Sequence, residues 1–182
     1  MRIAIFGGSF DPPHIGHEAI IKEACVTLNV DKIIVVPTFL NPFKKNALIN
    51  ATDRLKLIKK LFNEESKVEV CDYEVHQNRA VNSIETVKYL KKEFNPSKIY
   101  LIVGADNFKS IHTWNDYEAL TKLVEFVVAK RHCTHESFKD VKLLDININI
   151  SSTTLRDTLH LDYIPKKIQN DVKKIWHNKR AQ

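Results

Sequence analysis

The residues best suited to chemistry stand near the start of the chain, where two histidines follow a glycine pair and two prolines. The segment reads Gly7-Gly8-Ser9-Phe10-Asp11-Pro12-Pro13-His14-Ile15-Gly16-His17. Glycine allows a phosphate to come close to the backbone, and proline stiffens the approach to a helix first turn. Free amides and the helix dipole attract anions at a helix N-terminus, where His14 and His17 would share one face. The segment therefore predicts a phosphate-binding site.

A pair of histidines three residues apart can also arise in two simpler ways. They could be ordinary surface residues, or half of a metal site. The glycines and prolines around His14 and His17 favour phosphate binding over both. A second polar cluster, Ser151-Ser152-Thr153 before Leu155-Arg156, predicts the N-cap of a short helix.

The elements that must position these residues follow an alternation of short β-branched runs and helical periodicity. Strands are predicted at 2–6, 32–36, 67–75, 99–103, 126–129 and 141–150, and helices at 18–28, 51–62, 84–94, 117–123 and from about 165. This order is typical of a parallel sheet. Continuously apolar strands indicate helices on both faces, whereas the third predicted strand alternates over residues 68–75 and is expected nearer an edge.

The predicted fold class is therefore α/β, with a single doubly wound, Rossmann-like domain built on a mainly parallel sheet. It is expected to span residues 1–182, of which 165–182 form a C-terminal helix and a basic tail. Gly7 and Gly8 end the first strand, and Gly104 ends the fourth. Because ligands bind outside the carboxyl ends of parallel strands, these glycines mark the rim of the expected pocket.

Composition limits the partners only loosely. A net charge of +6 over 182 residues would suit nucleic acid, a membrane surface or a nucleotide triphosphate, and charge alone does not choose among them. No apolar stretch approaches the ~18 residues that span a bilayer. The three cysteines, Cys25, Cys71 and Cys133, form no CxxC pair and fit a reducing cytoplasm.

The GGSFDPPHxGH string resembles the signature of the nicotinate or nicotinamide mononucleotide adenylyltransferases, which belong to the HxGH nucleotidyltransferases. The stretch from Ile150 to Arg156 is similar to the ISSTxxR element of that family, and Gly104-Ala105-Asp106 with Trp114 is similar to its GAD…W segment. The chain departs from the family pattern at three places: Phe43 replaces a histidine, Asn82 replaces a tyrosine, and His132-Cys133 replaces Pro-Gly.

The resemblance implies a set of site residues. His14, His17, Lys44 and Arg156 are the expected catalytic residues. The residues expected to bind ATP are Gly7, Gly8, Ser9, Phe10, His14, Gly16, His17, Gly104, Asp106, Arg131, Ile150, Ser151, Ser152, Thr153 and Arg156. Those expected to bind the mononucleotide are Ser9, Phe10, Thr38, Lys44, Ser83, Asp106 and Trp114. Lys45 is an alternative to Lys44, and Trp114 would stack on the pyridine ring.

The reaction that the resemblance implies is the transfer of an adenylyl group from ATP to nicotinate mononucleotide. Mg²⁺ is expected through the ATP phosphates, without a dedicated protein site. The expected partners are thus two small molecules, with neither nucleic acid nor membrane, and the oligomeric state stays open. Alternatives are the same chemistry on nicotinamide mononucleotide or phosphopantetheine, a class I aminoacyl-tRNA synthetase relative suggested by His14-Ile15-Gly16-His17, and a non-catalytic nucleotide- or RNA-binding module.

Overall fold

The computed structural model of the chain describes residues 1–40, 47–131, 138, 140–148, 150–157 and 160–180. Within these ranges the centre of the molecule is a six-stranded, wholly parallel sheet with the order β3-β2-β1-β4-β5-β6. The strands are β1 (Arg2–Gly8), β2 (Lys32–Pro37), β3 (Val68–Val70), β4 (Lys98–Gly104), β5 (Glu125–Arg131) and β6 (Lys142–Ile146). The predicted α/β fold class is confirmed, and β3 lies at an edge as expected.

Helices connect these strands and continue beyond the last one. They are α1 (Ile15–Thr27), α2 (Ala51–Phe62), α3 (Tyr73–His76), α4 (Ser83–Phe94), α5 (Ala105–Phe108), α6 (Tyr117–Thr121), α7 (Ser152–Asp157) and α8 (Lys166–Arg180), with 3₁₀ turns at Ile111–Thr113 and Leu161–Tyr163. Asn50 caps α2 through its side chain, which accepts a hydrogen bond from the Asp53 amide at 2.8 Å.

Both faces of the central strands are buried, which explains why β1, β2 and β4 contain continuous apolar runs. On one face, Ala4 and Phe6 of β1 pack with residues of α1, α2 and α8. On the other, Ile3 and Ile5 pack with residues of α4 and α6. Alternate residues of one strand thus enter two separate cores. Ile168 and Val172 of α8 are fully buried, so the apolar side of that helix packs against the same core as α1 and α2.

The predicted strand 67–75 is wrong beyond Val70, because residues 73–76 form α3 instead. The Cys71 amide still donates to the Val35 carbonyl at 2.9 Å. In a parallel ladder the next donor would be the amide of Pro37, which proline lacks, so the pairing of β3 with β2 ends there. The predicted strand 141–150 is likewise too long, since β6 ends at Ile146. The first helix, by contrast, was predicted too short, because α1 begins at Ile15, three residues before the predicted start at Glu18.

Candidate active site

A cleft of about 600 Å³ opens at the carboxyl ends of β1 and β4. The chain leaves these neighbouring strands toward opposite edges of the sheet, so the cleft lies at a topological switch point. The sequence-predicted site residues that line it are Gly7, Gly8, Ser9, Phe10, His14, Gly16, His17, Thr38, Ser83, Gly104, Asp106, Trp114, Ile150, Ser151, Ser152 and Thr153. Residues predicted from three separate motifs therefore come together in one place.

The two histidines form a stacked pair at the start of α1. Their ring centroids are 3.6 Å apart with an interplanar angle of 24°. His14 is the N-cap residue and is buried, so the pair is not an ordinary surface feature. The His14 backbone amide donates to Nδ1 of His17 at 3.2 Å. Because Nδ1 accepts this bond, the neutral His17 ring carries its proton on Nε2, where it is a hydrogen-bond donor.

Packing around the pair leaves little freedom. The ring of Phe10 meets His17 edge-on with a centroid separation of 4.8 Å, and Phe10 itself takes a φ of 49°, in the left-handed region. A Cβ atom on Gly16 would come within 3.0 Å of the His14 ring and 3.3 Å of Ile150. A side chain at position 16 would therefore crowd both the His14 ring and the second motif.

The second motif contacts the first directly. Ser152 Oγ donates to the Pro12 carbonyl oxygen at 3.2 Å, and Arg156 Nη1 donates to the Asp11 carbonyl oxygen at 3.2 Å. Arg156 Nη2 also donates to the Thr153 hydroxyl at 2.9 Å. Thr153 lines the cleft, so the guanidinium group lies one contact away from it.

Arg54 of α2 is an organising residue that the sequence analysis did not identify. It is only 1% exposed. Its guanidinium group donates to four backbone carbonyls, those of Ile49 at 2.9 Å, Ser9 at 2.6 Å, Thr38 at 2.7 Å and Phe39 at 2.7 Å. Burial lowers the pKa of Arg54, and the nearby Asp11 carboxylate opposes that effect. One cation therefore joins the glycine turn after β1 to the loop after β2.

Asp11 ties the same two segments together from the other side. Its carboxylate accepts hydrogen bonds from the amides of Leu48 and Ile49, each at 2.8 Å. Helical periodicity accounts for Arg54 in the sequence, and Asp11 resembles an ordinary turn residue within the glycine and histidine segment, so the sequence does not reveal that the two hold these loops together. Only the burial of both groups in the folded chain shows what they do.

The expected mononucleotide side of the site is described in part. Thr38, Ser83, Asp106 and Trp114 line the cleft. Ser83 is the first residue of α4, whose N-cap Asn82 also lines the cleft, so the N-terminus of this 12-residue helix faces the cavity. Trp114 is also partly buried and packs against a hydrophobic core. Lys44, Lys45 and the side chain of Arg131 lie outside the described residues.

Glu74 of α3 also lines the cleft and was not predicted. It is 5% exposed, and its Oε1 atom accepts a hydrogen bond from the Thr86 hydroxyl at 2.6 Å. Burial raises the pKa of Glu74 to about 7, the Thr86 hydrogen bond counters this, and the negative charge of Glu85 adds to it. Glu74 falls within the predicted strand 67–75 but lies on α3, so its place beside the cleft is not evident from the sequence.

A metal-binding cluster and a membrane-spanning helix are both absent from the described residues. Across residues 1–40, 47–131 and the later described stretches, no group of three or more His, Cys, Asp or Glu side chains could hold a metal ion. No helix in the same part of the chain is long and apolar enough to cross a membrane.

Comparisons with known proteins agree with this geometry. The family model described as cytidylyltransferase-like matches residues 5–158. A probable nicotinate-nucleotide adenylyltransferase of Campylobacter jejuni is 47% identical over 178 residues, which are 97% of each chain. One of Sulfurimonas denitrificans is 49% identical over 170 residues, covering 93% of this chain and 92% of the relative.

Solved structures show the same fold at lower identity. The nicotinic acid mononucleotide adenylyltransferase of Plasmodium falciparum complexed with NaAD superposes with a TM-score of 0.80 at 23% identity, covering 100% of this chain and 99% of that one. The family model and the full-length relatives establish the family of this chain as well as its fold. The chain belongs to the cytidylyltransferase-like family and, within it, to the nicotinate-nucleotide adenylyltransferases.

Proposed function

We propose that this chain transfers the adenylyl group of ATP to nicotinate mononucleotide, giving nicotinate adenine dinucleotide and pyrophosphate in NAD biosynthesis. The observation that carries the proposal is the meeting of two motifs about 140 residues apart, joined by the Ser152 to Pro12 hydrogen bond beside the stacked histidines. The names of the full-length relatives support the same reaction.

The chemistry needs alignment more than proton transfer. An oxygen of the mononucleotide phosphate forms a bond to the α-phosphorus of ATP. The bond from that phosphorus to the oxygen between the α- and β-phosphates breaks, and this oxygen leaves as a terminal oxygen of pyrophosphate. Because the attacking oxygen is already anionic, no general base is required. Catalysis then comes from holding the two phosphates in line and neutralising the charge that grows on the transferred group.

On the ATP side, His14 and His17 would donate to phosphate oxygens at the N-terminus of α1, with Nε2 of His17 already protonated. Hydroxyl groups of Ser151, Ser152 and Thr153 would hold the triphosphate together with Arg156. We assign Gly7, Gly8, Gly16 and Ile150 to the walls of the same subsite, with Gly104 and Asp106 near the ribose. Arg131 stays a predicted ATP residue.

On the acceptor side, the Trp114 ring would stack on the pyridine ring. The N-terminus of α4, with Ser83 as its first residue, would hold the ring carboxylate, because free amides and the helix dipole favour an anion there. Ser9, Phe10 and Thr38 would complete this subsite at the junction with the glycine turn. Lys44, or its neighbour Lys45, is the proposed contact for the acceptor phosphate.

Mg²⁺ would bind through the ATP phosphates and reduce their negative charge. The hydroxyl and imidazole groups that line the cleft are donors that suit the phosphate oxygens of such a nucleotide. We also propose that residues 1–182 act as one domain and that the protein works in the cytoplasm, where the free thiols of Cys25 and Cys71 would stay reduced.

The direct test incubates the protein with ATP, Mg²⁺ and nicotinate mononucleotide, and follows both pyrophosphate and dinucleotide. We expect equal amounts of the two products. Parallel reactions with nicotinamide mononucleotide and with phosphopantetheine measure acceptor choice, and we expect the acid to be preferred. ATP binding without pyrophosphate release on any acceptor would instead identify a non-catalytic nucleotide-binding module.

A further inference from the structure

Glu74 is a buried carboxylate that lacks a positive partner among the described residues. No ion pair within them includes it, and its Oε2 atom is buried without a hydrogen-bond partner. Its contact through Oε1 is the hydroxyl of Thr86. A buried charge with so little compensation is costly, so the protein tolerates this group most readily in its neutral form.

Because Glu74 lines the cleft, its charge bears on which substrate the cleft accepts. Glu74 lines the same cleft as Asn82, Ser83 and Trp114, and its hydrogen bond to Thr86 places it against the first turn of α4. The N-terminus of α4 favours an anion there, whereas an ionised Glu74 repels one. Two opposing electrostatic effects therefore act on whichever ring substituent occupies this subsite.

In the part of the chain that the structure describes, no neighbouring group supplies a compensating cation to Glu74. From α4 it faces Glu85, whose negative charge is paired with Arg79 at 2.6 Å. On its own segment, Asp72 pairs with Lys59 of α2 at 2.9 Å. The remaining titratable groups nearby are Cys71, Tyr73, His76 and Tyr89, and those elsewhere in the cleft are His14, His17 and Asp106.

We propose that Glu74 sets the choice between acid and amide mononucleotides through its own protonation. With Glu74 neutral, the subsite accepts the anionic ring carboxylate of nicotinate mononucleotide. With Glu74 ionised, two negative charges repel and the uncharged carboxamide of nicotinamide mononucleotide gains relative to the acid. This inference rests on the proposed function and adds to it a residue that determines specificity through charge, without touching the reacting atoms.

The test measures kcat/KM for both mononucleotides from about pH 6 to about pH 9 and takes the acid-to-amide ratio. Both substrates carry the same phosphate and use the same ATP, so their titrations cancel in the ratio. Burial places the pKa of Glu74 at about 7. In the wild type the ratio should fall by roughly tenfold between about pH 6.5 and about pH 8.5, as the neutral fraction of Glu74 declines.

Two variants and one control make the result specific. Glu74→Gln keeps the shape and an acceptor for Thr86 but cannot ionise, so its ratio should be independent of pH. Thr86→Val removes the hydrogen bond that favours the ionised form, so the fall should move to higher pH. Glu93→Gln, an exposed change on α4, should behave as the wild type.

Each outcome has a distinct meaning. A wild type that produces dinucleotide at a pH-independent ratio, or a Glu74→Gln variant that retains the wild-type fall, would overturn the role of Glu74 and leave the proposed function intact. A wild type that produces dinucleotide from neither substrate would overturn the proposed function, and the inference with it.

Discussion

A single hydrogen bond at position 17 decides which ring nitrogen is available to a substrate. The His14 amide occupies Nδ1 of His17, while stacking on the His14 ring and edge contact with Phe10 fix the plane of the imidazole. The donor at Nε2 is thus oriented before any ligand arrives. Preorganised donors of this kind stabilise charge that develops in a transition state without reorganising during the reaction.

The Nε2 donor of His17 can be removed by a single substitution. His17→Ala removes it and should lower kcat by roughly 10²–10³, as expected for the loss of one charge-stabilising donor. Steady-state pyrophosphate release measures the change. His177→Ala, which replaces an exposed histidine of α8, is the matched control and should keep wild-type turnover. Near-wild-type kcat in His17→Ala would remove His17 from the catalytic set.

At the scale of elements, helix α2 does more than cover the sheet. Through Arg54 it binds the backbone of the glycine turn and of the loop after β2, and through Leu57, Ile58 and Leu61 it enters the core. Helix α8 packs on the same side and pairs with α2 through Lys60 and Asp171 at 2.7 Å. The position of the two site loops therefore depends on a helix to which we assign no substrate contact.

Arg54→Met tests that dependence. Four backbone carbonyls lose their donor, and we expect the free energy of unfolding to fall by about 3 kcal/mol. The KM for the mononucleotide should rise more than the KM for ATP, since Thr38 and Phe39 lose their anchor. Urea unfolding and steady-state kinetics measure the two effects. Lys56→Met, an exposed change on the same helix, should alter neither.

Two valines, one buried on α8 and one exposed on α1, offer a comparison of what burial contributes to stability. Val172 of α8 is 0% exposed, whereas Val26 of α1 is 85% exposed. Val172→Ala should lower the free energy of unfolding by about 2 kcal/mol, because it removes buried methyl groups and leaves a cavity. Val26→Ala should change it by less than about 0.5 kcal/mol. Equal effects in urea unfolding would mean that α8 does not share the core.

For the molecule as a whole, stability should depend on pH in two opposite ways. The pKa of Asp72 is lowered first by its hydrogen bond to Lys59, and that of Glu85 first by its hydrogen bond to Arg79. Their contributions are present above the unfolded values and are lost as the pH falls through the lowered folded values. Glu74 has a raised pKa of about 7, so its contribution is full below its unfolded value of 4.5 and is lost as the pH rises toward 7.

Glu74→Gln should therefore stabilise the protein at alkaline pH and not at acidic pH. Relative to the wild type, we expect the free energy of unfolding to rise by roughly 2–3 kcal/mol at about pH 8, with little change at about pH 4.5. Urea unfolding at the two pH values measures this difference without any substrate. A difference that stays constant with pH would show that Glu74 does not titrate in this range.

The parts of the site that can be predicted from the sequence are those whose functional residues are contiguous in the chain. The glycine turn with His14 and His17, and the hydroxyl cluster at Ser151–Thr153, are recognisable because neighbours in the chain also act together in space. Arg54 and Glu74 have roles that depend on burial by distant elements, which no local pattern records. The end of β3 depends on an amide that Pro37 of another strand lacks, so the run at 68–75 could not reveal it alone.

The bond between Ser152 and Pro12 also has a consequence for the order of events during synthesis. The first half of the proposed ATP subsite leaves the ribosome early, but its partners at residues 150–156 follow only after all six strands of the described sheet have been made. Contacts so distant along the chain form late, because a long loop must close first. A nascent chain that stops short of residue 150 would present the glycine turn and histidines without their counterpart, so ATP binding should report the last stage of folding.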